Sequence, residues 1–170
     1  MAGVETSRGA RGFGVRLGTI ASAFAVAGGF VLVALVLLVI VSVLGRALFA
    51  RPVPGDFEIV GFGISIAIFL FLPYCYLKRG NVTVDVLVGH TPPGLERVLD
   101  GFAGFVSGAI ALLFAWRMAL GLADVFTYGD ISMIVGIPLW WAYPFGIASF
   151  GLLAVVAIYT AVHGFDDSDV

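Results

Sequence analysis

From Ile59 to Leu77 no side chain carries a charge. Two acids, Asp56 and Glu58, stand just before this run, and Lys78 and Arg79 close it. A run of this length, acidic at one end and basic at the other, reads as one membrane crossing. The whole chain supports that reading. It is 61% hydrophobic and 12% charged, against about 45–50% and about 25% in a soluble domain. The fold class expected is therefore all-α integral membrane.

Three more crossings fit the remaining runs. The segments expected are about 17–48, 56–77, 95–123 and 138–162, with polar tails at 1–16 and 164–170. Arg8, Arg11 and Arg16 precede the first run and imitate a signal peptide. The run from Leu17 to Gly45 is too long for a signal's apolar core and no small-residue cleavage site follows it, so it is expected to be retained. At 1.5 Å per residue it would measure about 43 Å, which demands tilt or projection beyond a core of about 30 Å. Gly18, Ala21, Ser22, Ala25 and Gly29 give it a face of small residues. Pro52 and Pro54 prevent its continuation.

In the second span Asp56 suits an N-cap and Glu58 suits the positive end of the helix dipole. Pro73 falls inside the span, where membrane helices tolerate it. Val82, Val84, Val86 and Val88 alternate with other residues beyond it, which predicts a short extended or interfacial segment between helices 2 and 3. In the third span Gly101, Gly104, Gly108, Ala111 and Ala115 recur at steps of three and four, the spacing of a close helix pair. Asp124 to Gly136 reads as a loop. Ile137 to Tyr143 reads as a proline lead-in with Trp140, Trp141 and Tyr143 at headgroup level.

Counting Lys and Arg gives the orientation. With the N-terminus in the cytoplasm, that side holds Arg8, Arg11, Arg16, Lys78, Arg79 and Arg97, and the other holds Arg46, Arg51 and Arg117. The positive-inside rule then places both termini in the cytoplasm.

Few residues offer chemistry. Asp56 and Glu58 could meet a cation or a partner's arginine, or simply offset the helix dipole together with Arg46 and Arg51. Asp85, beside Asn81, could dock a partner loop or be a solvated loop acid. Arg117 lies about 25 Å along its helix from Asp100, where it can snorkel to the far interface. Trp140 and Trp141 could stack on a substrate or belong to an aromatic belt. Cys75, the one cysteine, permits no internal disulfide, and His90 and His163 stand far apart. No acid, lysine or histidine is expected at mid-membrane, where an ion-coupled carrier needs such groups. No nucleophile–base pair, metal-ligand spacing or phosphate loop points to an enzyme, and no cofactor is expected in this chain. The residues describe a helical membrane subunit that works by packing against something else.

Gly55-Asp56-Phe57-Glu58, Phe69-Leu70-Phe71-Leu72-Pro73-Tyr74 and Asn81-Val82-Thr83-Val84-Asp85, followed by Gly136-Ile137-Pro138-Leu139-Trp140-Trp141 with Tyr143, Pro144 and Gly146, resemble the small membrane subunit (DctQ type) of tripartite ATP-independent periplasmic, or TRAP, transporters. The similarity runs from about Thr19 to Tyr159, though at Asn81 the family often carries histidine. The resemblance implies two partners: a large DctM-type membrane subunit that moves substrate with sodium, and a soluble DctP-type periplasmic binding protein that captures an organic acid such as a C4-dicarboxylate. It implies a bracing and docking role for this chain, in a bacterial or archaeal inner membrane. Partner contacts are expected at Arg46, Asp56, Glu58, Asn81, Asp85, Gly104, Gly108, Trp140 and Trp141. The alternative is a self-contained small carrier or channel acting as a homo-oligomer.

Overall fold

The computed structural model describes residues 2–78 and 93–163. Helix α1 runs Ala2–Phe49, α2 Asp56–Leu77, α3 Pro93–Tyr128 and α4 Tyr143–His163, with a single 3₁₀ turn over Leu139–Ala142 ahead of α4. All four helices are long and apolar enough to cross a membrane. The valine alternation after Gly80, and the interfacial segment expected there, lie outside the described residues.

Three boundaries differ from the sequence reading, one of them the start of α4, at Tyr143 instead of 138 because the 3₁₀ turn precedes it. Helix α1 continues back to Ala2, through the stretch read as a polar tail; it contains no proline to stop it. Helix α3 continues past Ala123 to Tyr128. Asp124 and Thr127 do not end it, because the Thr127 hydroxyl bonds the Ala123 carbonyl at 2.7 Å along the helix. The stop comes at Gly129, whose φ of 66° only glycine adopts cheaply and whose N–H bonds the Val125 carbonyl at 3.1 Å.

The helices are ranked in a row, α1–α2–α4–α3, each packed mainly on its neighbours in that order. Small residues decide how close they come. A Cβ on Gly28 would lie 3.2 Å from Leu70 Cβ and 3.3 Å from the Ala67 carbonyl, so α1 meets α2 almost backbone to backbone. The expected small face of α1 is buried at Gly18 and Ala21, whereas Gly29 faces open space. Between α3 and α4 the contact is tighter still. A Cβ on Gly104 would stand 2.9 Å from Ala161 Cβ, and one on Gly108 would stand 3.0 Å from Ile158. In a bilayer, close van der Waals approach is what drives helices together, since lipid is as apolar as leucine. The glycines are therefore the energetic centre of the seam.

At the Lys78 end Leu17, Ala21, Leu77 and Val156 form a buried cluster with Tyr74, Tyr76, Leu152 and Tyr159 around it. At this end α1 also touches α4, though only slightly. Midway along the row Phe150 of α4 joins Phe69 of α2, with ring centroids at 5.8 Å, and stacks on Phe114 of α3 at 5.3 Å. Outside these contacts the row exposes apolar side chains on α1 from Val15 to Phe49 and on α3 from Phe102 to Tyr128.

Candidate functional site

Polar structure gathers at the Asp56 end of the row. The chain leaves α1 through Ala50, at φ 52°, and Arg51, whose N–H bonds the Gly45 carbonyl at 3.2 Å. It then turns into α2 at Gly55, at φ 72°. Gly55, not Asp56, is the residue that caps α2. Glycine is required there twice over: its φ is left-handed, and a Cβ would collide with Val135.

Asp56 is instead the first helical residue, and its carboxylate does two jobs. One oxygen accepts the Phe57 N–H at 2.9 Å. The other accepts the Ser42 hydroxyl of α1 at 2.6 Å. Ser42, which is 2% exposed, also accepts the Val53 N–H at 3.3 Å. Ser42 thus ties α1, the α1–α2 loop and α2 at one point. It was not among the residues singled out from sequence, although it is the one hydroxyl in the second half of α1.

Glu58, two residues on and so on another side of α2, reaches across to the α3–α4 connection. That connection folds back on itself: Ile131 bridges Pro138, Ser132 N–H bonds the Ile137 carbonyl at 2.9 Å, and Leu139 N–H bonds the Asp130 carbonyl at 3.0 Å. At its tip the Ile134 and Val135 N–H groups point at the Glu58 carboxylate, at 3.0–3.1 Å. Two successive amides on one carboxylate make charge-assisted bonds, the stronger kind. Beside them Phe57, Glu58, Phe62, Ser65, Ile131 and Met133, among others, line an open cleft of ≈ 450 Å³.

The two acids expected to face a partner are therefore engaged inside the chain. Among the described residues neither pairs with Arg46 or Arg51, both of which are exposed. What the acids hold in place is an apolar surface: Phe57 is 82% and Met133 99% exposed, with Ile131 and Ile134 also out. Trp140 packs edge-on against Phe126 of α3 at 5.9 Å and against Trp141 at 6.1 Å, and Trp141 is exposed. Gly104 and Gly108 are buried by α4 of the same chain, which leaves no surface at either for another protein. Asn81 and Asp85 lie outside the described residues. No three His, Cys, Asp or Glu side chains converge among the described residues.

A four-span helical protein with its helix faces largely open to what surrounds them is a multi-pass membrane protein built to pack. The family comparison is more specific. The model of the tripartite ATP-independent periplasmic transporters, DctQ component, matches residues 35–167, and the chain belongs to that family as a TRAP transporter small permease subunit. No curated protein and no solved structure gave a match. Membership in the family implies the company of a large membrane subunit and a substrate-binding protein.

Proposed function

We propose that this subunit braces a DctM-type large subunit in the inner membrane and lends part of the docking surface to a DctP-type binding protein during sodium-driven uptake of an organic acid. The observation that carries this reading is the internal use of Asp56 and Glu58. Both charges are committed to holding a loop and a helix pair, and the loop so held displays Ile131, Met133 and Ile134 outward. Rigid presentation of an apolar surface suits recognition better than transport. With both termini cytoplasmic, as the Lys and Arg count favours, that surface faces the periplasm. Sodium and substrate would then be handled by the large subunit. C4-dicarboxylates fit the family resemblance.

Reconstitution tests it. Proteoliposomes holding the large subunit, this chain and the binding protein should take up organic acid in a sodium gradient, and omitting this chain should abolish uptake. Full uptake without it would overturn the proposal. Solute flux through this chain alone would favour the homo-oligomeric carrier.

A further inference from the structure

Arg117 is set deeper than snorkelling requires. The register of α3 on α4 fixes its level. Gly121 lies against the Tyr143 ring, Met118 covers Gly146, and Gly108 lies beside Ala154 and Ile158. Arg117 is therefore level with Gly146 and Ile147, six residues past Trp141, or about 9 Å deeper by helical rise. Phe69, well inside α2, reaches the same Gly146. The Arg117 side chain is exposed and has no ion pair or hydrogen bond among the described residues.

Its direction is informative as well. Met118 faces α4, and a step of one residue turns the next side chain by about 100°, so Arg117 points away from the seam. It shares that outward side with Leu113 and Leu120, both exposed. The nearest acid on this side, Asp124, stands seven residues on, about 10 Å toward the Trp140 end. No pair joins the two. Helix α3 ends the row and packs mainly on α4, so most of its circumference is free.

We infer that the outward face of α3 around Arg117 is the seat of a membrane helix of the large subunit, and that this helix brings a carboxylate to the guanidinium. The inference rests on the bracing role proposed above. A charge at this depth is normally paired or hydrogen-bonded within protein. Lipid phosphates lie at or beyond the aromatic belt, whereas a neighbouring helix can place an acceptor at any depth. Arginine also binds a carboxylate through two parallel N–H bonds, which fixes register as well as attraction.

The test compares wild type, Arg117→Leu and Arg117→Lys, each co-expressed with the large subunit and extracted in mild detergent. Wild type must first recover the large subunit; if it does not, the bracing role fails before the inference is reached. Given recovery, Arg117→Leu should lower it roughly tenfold or more, and Arg117→Lys should restore it only in part. The thermal midpoint of the isolated chain should not fall in either variant. Undiminished recovery with Arg117→Leu would overturn the inference and leave snorkelling to lipid phosphate. A destabilised isolated chain would also overturn it, by placing the role of Arg117 within the subunit.

Discussion

At the scale of single residues, the acidic end of α2 is a pair of clasps. Asp56 holds Ser42, and Glu58 holds the amides of Ile134 and Val135. Ser42→Ala removes a donor to Asp56 and an acceptor for Val53. Side-chain hydrogen bonds between membrane helices contribute on the order of 1 kcal/mol, so reversible unfolding in mixed micelles should register a loss of about that size. Glu58→Ala acts elsewhere. It frees the tip of the α3–α4 connection while leaving the helices packed, so hydrogen exchange at Ile134 and Val135 should speed up roughly tenfold with no change in helical content. Unchanged exchange at those two amides would show that the loop holds itself. The identity of Asp56 and Glu58 as a charged helix start was legible in sequence from their position before an apolar run. Their partners were not. Ser42 is 14 residues away, and Ile134 is 76 away, and nothing local in the sequence couples either pair.

At the scale of helices, spacing did more than propensity. The glycines and alanines of α3 recur at three and four, and the structure seats Gly104 and Gly108 on Ala157, Ala161, Ala154 and Ile158 of α4. Periodicity reveals that such a face exists; it does not say which helix fills it. That is why Gly104 and Gly108 looked available to another protein and turn out to be used within the chain. On α1 the expected face is buried at Gly18 and Ala21, but farther along it is Gly28, not Gly29, that meets α2. These assignments give a paired prediction. Gly104→Leu forces α3 off α4, with an overpacking cost of about 1–3 kcal/mol. Gly29→Leu meets open space and should change the stability of the isolated subunit by less than about 0.5 kcal/mol. Equal effects of the two substitutions would contradict the packing described. Helix ends were less legible than helix centres, because Asp124 and Thr127 tolerate the helical state that the following Gly129 then ends.

At the scale of the molecule, a row of four helices offers two broad apolar sides and buries little between them. A compact bundle would hide a site at its centre; a row cannot. The uncharged runs of the sequence already implied four crossings, and the family is matched over residues 35–167. The side-by-side order α1–α2–α4–α3 was not legible, since hydropathy carries no information about neighbours. That order has the direct functional consequence. It leaves α1 and α3 at the edges with their faces open to a larger neighbour. The central claim is that this chain exists to be packed against. The most direct measurement is gentle extraction of the tagged subunit from its own membrane, followed by native mass spectrometry. A complex with one much larger multi-span membrane protein is expected. Recovery of this chain alone, or only as copies of itself, would contradict it.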